Sequence, residues 1–186
     1  MKTKSVPQAR GRSDLTVVLS WPELYLASTA GIMRRSESLK SGRVGAQKRD
    51  PGADKWGRDI ESAHAEMAVA KLFGLYWSGT LNTFRGADLH DYIQVKSTDL
   101  PDGRLIIRRE DATDHVCILV IRENTRTFRV VGWVAAGYAK QDEWLTNPNG
   151  TDAAWFLPQD QLLGFEVEDG VALVPQRTLR KEPDIG

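Results

Sequence analysis

An α/β domain with a central mixed, mostly antiparallel sheet flanked by helices is what this sequence predicts, and three features predict it. Two segments among the first 73 residues carry helix-start signals ahead of apolar or alanine-rich stretches. A consecutive run of strand candidates then occupies residues 88–134. One of them, VCILVI at residues 116–121, is apolar on both faces, as a central strand is.

The first helix is announced by Ser20 as cap, Pro22 in the first turn and Glu23 as an early acid, and is expected to run to about Ser38. Residues 39–58 bring Gly42, Gly45, Pro51 and Gly52 together with Lys40, Arg43, Lys48, Arg49, Lys55 and Arg58, the composition of a basic loop. Such a loop is either a solvated linker or a contact for phosphates. Asp59 is the expected cap of a second, alanine-rich helix over residues 60–73, stopped by Gly74. Ile60, Ala63, Met67 and Ala70 recur at helical spacing, which puts Glu66 at the edge of the buried stripe.

Strands are expected at residues 76–84, 88–97, 104–109, 115–122 and 127–134. The turn signal Pro101-Asp102-Gly103 and the polar stretch 122–126 suggest an antiparallel meander. Residues 135–158 suggest a short helix and loops over one sheet face. The organisation expected is a basic flexible tail at residues 1–13, one domain over 14–175 and a second flexible tail over 176–186.

A chain of 186 residues suits one such domain. The 25 basic and 25 acidic side chains balance, so a nucleic-acid site has to come from local clustering. No apolar stretch approaches the ~20 residues of a membrane span, and residues at the start lack the apolar region of a secretory signal, so a cytoplasmic protein without a membrane partner is expected. Cys117, the one cysteine, sits in the apolar run, where a buried inert thiol belongs.

Chemistry concentrates in residues 86–98, GADLHDYIQVKST. Strand alternation sends Tyr92, Gln94 and Lys96 to one face and Ile93 and Val95 to the other. A lysine in such a strand marks either an edge or a function. The order of a helix bearing Glu66, an acid at Asp88, a short spacer and Gln94-Val95-Lys96 on a strand resembles the PD-(D/E)xK nucleases of the restriction-endonuclease-like class. Gln94 replaces the usual carboxylate, as in the similar Mrr-like members with Q-x-K. The resemblance covers about residues 59–134, and the stretches FRVVGW and AWFLPQ look similar to small proteins of this class in bacteria and phages.

The resemblance implies a magnesium- or manganese-dependent deoxyribonuclease of a bacterial or phage-infected cell. In that reading Asp88, Glu66, Gln94 and the carbonyl of Val95 hold the metal, and Lys96 orients water or phosphate. Arg108, Arg109, Arg43, Lys48 and Arg49 are the expected DNA contacts, and a homodimer is expected from symmetry. The geometry requires Asp88 to share a face with Gln94 and Lys96, and so a hairpin loop of odd length or a bulge.

Weaker signals are set aside. His64-Ala65-Glu66 matches half of a zinc deaminase motif without its cysteine partner. His90 reads as a turn residue and His115 as a strand boundary. Glu110, Asp111 and Asp114 read as a solvated turn and as substitute acids should Asp88 be misplaced. Trp133, Trp144 and Trp155 read as core or lid. Two rival functions are an inactive nuclease-fold DNA-binding adaptor, with Gln94 as its signature, and an assembly protein using the tryptophans as an interface.

Overall fold

Helix α1 (Trp21–Lys40) starts where Ser20 and Glu23 form a reciprocal capping box: Glu23 N–H donates to Ser20 Oγ at 3.4 Å and Ser20 N–H to the Glu23 carboxylate at 2.6 Å. The computed structural model of the protein describes residues 14–42, 54–79, 87–147 and 153–177. Helix α2 (Lys55–Leu72) starts earlier than the sequence suggests, because Asp54 and not Asp59 accepts the N–H of the first turn, at Gly57. Residues 55–58 therefore belong to the helix and not to the basic loop. Gly57 inside the first turn is what hides this start from sequence, since glycine is a poor helix former.

Alanines and glycine let the two helices approach closely. A side chain on Gly31 of α1 would meet Ile60 Cα of α2 at 2.6 Å, and every residue of α2 from Ala63 to Ala70 is buried. The stripe foreseen from Ile60 to Ala70 is real, but α2 is covered by α1 on one side and the sheet on the other, so Glu66 is buried as well.

The main sheet has strand order β1-β5-β4-β2, from β1 (Leu15–Val18), β2 (Ile93–Thr98), β4 (Val116–Arg122) and β5 (Thr127–Ala135). Strand β4 is central and fully buried from Val116 to Ile121, as its two apolar faces predict. The sheet is mixed: β1 and β4 run antiparallel to β5, whereas β2 runs parallel to β4. The simple meander is thus corrected. Strand β3 (Leu105–Ile107) leaves the main sheet and pairs antiparallel with β7 (Ala154–Leu157), which also pairs with β6 (Leu145–Thr146). Residues 75–79 form no strand, and residues 80–84 lie outside those described.

Two apolar layers result. One lies between the helices and the main sheet, with Ile93, Val116, Ile118, Val120 and Phe128. The other lies between the main sheet and the β3-β7-β6 sheet, with Cys117, Leu119, Ile121, Leu105 and Leu157. A bulge opposite Leu119/Val120 shifts the alternation of β5, so that Val130 faces the helices and Val131 the second layer. Helix α3 (Ala136–Ala139), 3-10 turns at Asp142–Trp144 and Gln159–Gln161 and the two-stranded β8 (Val167–Glu168) and β9 (Val171–Ala172) complete the described chain. Among the described residues no helix is long and apolar enough to cross a membrane.

Candidate functional site

Strand β2 is the edge of the main sheet, and it carries Gln94, Val95 and Lys96, with Asp88 in the hairpin just before it. Before it, Leu89 bridges Ile93 around the three-residue loop His90, Asp91 and Tyr92, with His90 at a positive φ of 47°. The N–H groups of both Asp88 and Leu89 point at Ile93 O, at 2.9 and 3.1 Å, which is the bonding pattern of a bulge. The odd loop and the bulge are both present.

They place Asp88 differently from expectation. Its Oδ2 accepts the Val95 N–H at 2.7 Å, so the carboxylate lies along the open edge of β2 and not on the face of Gln94 and Lys96. The reason is local: where the hairpin ends, Val95 N–H has no carbonyl opposite, and the side chain of Asp88 supplies one. In a strand the N–H and C=O of one residue point the same way, so Val95 O faces the same edge as this carboxylate. Gln94 and Lys96 project to the opposite side from Ile93 and Val95, as alternation predicts.

Glu66 approaches from the helix side. Arg34 of α1 holds it bidentately, Nη1 to Oε1 at 2.6 Å and Nη2 to Oε2 at 2.7 Å, and Trp77 Nε1 donates to Oε2 at 3.2 Å. Burial opposes the charge on Arg34, but the bonds to Glu66 outweigh it and raise the guanidinium pKa. Burial, reinforced by the negative Glu66, pushes Asp88 up to about 7; the Val95 N–H, Lys96 and Arg34 only partly offset this.

On the other face, Lys96 Nζ donates to Asp111 Oδ1 at 2.9 Å, while Asp111 Oδ2 accepts the Arg108 N–H at 2.8 Å. Lys140 Nζ donates to the Asp111 and Arg109 carbonyls and so closes the same turn. Asp111 is buried, not a solvated turn acid. Exposed Glu110 and the Asp114–Arg177 pair do fit a surface turn.

Arg34 is the residue that sequence reading missed; Asp111, a substitute acid there, is buried beside Lys96 and not in a solvated turn. A buried Glu66 requires a cation and an inward lysine requires an anion; those needs were legible, their partners were not.

Comparison with family models, curated proteins and solved structures finds no match to the chain. Its chemistry therefore rests on its own geometry. Asp88 lies on the open edge within electrostatic range of Glu66, Arg34 and Lys96, the Val95 carbonyl faces that edge, and half-buried Gln94 projects with Lys96 to the other face. Among the described residues no group of three or more His, Cys, Asp or Glu side chains is placed to share a metal ion. The oxygens that face the open edge of β2, from the Asp88 carboxylate and the Val95 carbonyl, are of the kind taken by a hard cation that keeps several waters.

Arg108 and Arg109 are exposed, and Arg43, Lys48 and Arg49 lie outside the described residues. His90 stacks on Tyr92 in the turn, and His64 is buried against Phe128 with Nε2 2.8 Å from Ser28 Oγ, so neither joins the site. Trp133, Trp144 and Trp155 pack on the two apolar layers. The thiol of Cys117 is pushed up to about 12 by burial and is inert.

Proposed function

We propose that the chain is a metal-dependent nuclease of the restriction-endonuclease-like class, hydrolysing DNA phosphodiester bonds at the open edge of β2. The observation that carries this reading is the Asp88 carboxylate, pinned on Val95 N–H at the open edge of β2 and within electrostatic range of both Glu66 and Lys96. Glu66 is matched by Arg34, while Asp88 keeps carboxylate lone pairs that the Val95 N–H does not use and that a cation could take. Asp88 and the Val95 carbonyl would hold magnesium or manganese, with Gln94 adding a neutral amide oxygen. Glu66 would join only by sharing or exchanging Arg34, which engages both of its oxygens. When bound, such an ion supplies a more acidic water and a counter-charge for the phosphoryl oxygens.

Lys96 is aimed by Asp111, so its ammonium is held at one place on the strand face, where it can bind a phosphate oxygen or the attacking water. The bidentate hold of Arg34 on Glu66 and the amide at Gln94 favour a second reading, an adaptor that binds DNA on this scaffold without cutting it.

Incubation of the purified chain with supercoiled, linear and single-stranded DNA in magnesium or manganese, beside Lys96→Ala, tests the first reading. Cleavage by the parent and a loss of about 10²-fold or more in the variant are expected. Cleavage that survives unchanged in Lys96→Ala defeats it. Manganese binding that Asp88→Ala abolishes supports the nuclease, and DNA binding indifferent to metal supports the adaptor.

A further inference from the structure

Beside Lys96 a cleft of about 550 Å³ opens between the edge of β2 and strand β3. From β2 it is lined by Lys96, Ser97 and Thr98, and from the β3 side by Arg104, Ile106 and Arg108. Leu105 and Ile107 are buried in the second apolar layer, so alternation puts Arg104, Ile106 and Arg108 together on the open face. Phe156, the ladder partner of Ile106, adds an aromatic wall.

The arginines in this cleft differ from the four that hold ion pairs. Arg34, Arg122, Arg129 and Arg177 are each neutralised by a carboxylate. Arg104 and Arg108 are exposed and have no such partner among the described residues. Four residues of extended chain separate them by about 13 Å, so they can hold two phosphates of one strand at the same time. Among the described residues Asp102 is the one acid in the lining.

We infer that this cleft binds a single nucleic-acid strand, its phosphates on Arg104 and Arg108, and delivers it to Lys96. The inference rests on the nuclease-site reading for what happens at Lys96, but not for the binding itself. Concavity selects the single strand: duplex is read by a protruding helix or ribbon that enters its groove, whereas here the cations line a hollow that the strand must enter. Phe156 and Ile106 offer the apolar surface on which an unpaired base stacks, which is the usual partner of a cationic track in single-strand binding.

Fluorescence anisotropy of a short labelled oligothymidylate, with the full chain in EDTA so that no cleavage occurs, tests it. Arg104→Glu combined with Arg108→Glu is expected to weaken binding at least ~10-fold and to reduce the salt slope by about 1.4, two phosphates at about 0.7 each. Asp102→Asn is expected to tighten binding, and a duplex of equal length to bind at least ~10-fold more weakly. Circular dichroism and the urea midpoint check that the variants fold; where the glutamates disturb folding, the alanine pair takes their place.

Unchanged affinity in a folded double variant, equal affinity for duplex, or binding indifferent to salt overturns the inference. The last is what a peptide adding to the edge of β2 would give. Magnesium-dependent cleavage judges the other reading separately. A double variant that still cleaves single strands like the parent removes the cleft and leaves the nuclease, while parental binding without cleavage keeps the cleft and removes the nuclease.

Discussion

Asp88 Oδ2 accepts the backbone N–H of Val95 at 2.7 Å, so a side chain continues the hydrogen-bond ladder where the Leu89–Ile93 hairpin stops. One carboxylate thus finishes an edge strand and stands beside Glu66 in a poorly solvated place. The two roles conflict energetically, and the conflict is measurable.

Burial and Glu66 raise the Asp88 pKa to about 7 in the folded chain, above its ordinary value of 3.8. Between those values the folded state keeps a proton that the unfolded state has released, so stability falls as pH rises from about 4 to about 7 and is level beyond. Urea unfolding of the parent at pH 5 and pH 8 should show this fall, on the order of a few kcal/mol. Asp88→Asn keeps an acceptor for Val95 N–H and removes the charge, so its midpoint should change less across the interval and exceed the parent's at pH 8. An Asn variant that tracks the parent at both pH values rules this out.

The Arg34–Glu66 pair is the next point of weakness. Glu66 has a side-chain exposure of 5% and Arg34 of 19%. Arg34→Ala leaves a buried carboxylate with only Trp77 Nε1 as a donor and should cost about 3–5 kcal/mol. Arg34→Met with Glu66→Gln removes both charges, keeps the Trp77 bond and should recover most of that loss. A single variant as stable as the parent would show that Glu66 is solvated and that the pair does not hold α1 on α2.

How far the sequence discloses this arrangement depends on the range of the forces involved. Helix α1 was legible because Ser20, Pro22 and Glu23 act within one turn. The fully buried β4 was legible from residues 116–121 alone. The start of α2 was obscured by Gly57 and by two aspartates, Asp54 and Asp59, each suited to capping. Strand β2 pairing parallel with β4, and β3 leaving for a second sheet, depend on contacts between distant segments, and the turn at residues 101–103 looks the same in a meander. Lys96 and Asp88 stood out by residue type, and Asp111 stood as a substitute acid, but its burial was hidden because it comes from Lys96, Arg108 and Lys140 converging on it.

Gly31 sets how closely α1 can lie on α2, and with it the reach of Arg34. A Cβ there would sit 2.6 Å from Ile60 Cα and 2.7 Å from Asp59 O, backbone atoms that cannot turn aside. Gly31→Ala has to push the helices apart, and the strain outweighs the better helix propensity of alanine. A loss of about 1–3 kcal/mol in unfolding free energy, seen as a lower urea midpoint, is expected. Thermal unfolding that shows Gly31→Ala equal to or more stable than the parent would mean the helix pair yields at no cost.

Asp111 separates structural from chemical work on the second face of β2. Asp111→Ala frees Lys96 and leaves Arg108 N–H without its acceptor, which should cost about 1–3 kcal/mol. Asp111→Asn keeps a side-chain oxygen for Arg108 N–H and loses the charge that aims Lys96. If Lys96 works on phosphate or water, the Asn variant should lose about tenfold or more in single-turnover cleavage of single-stranded DNA, with a urea midpoint near the parent's. A turn held only for stability predicts the reverse, cleavage tracking the midpoint across both variants. Asn and Ala variants that cleave equally well would mean that Lys96 needs no partner, and Asp111 would then serve the turn alone.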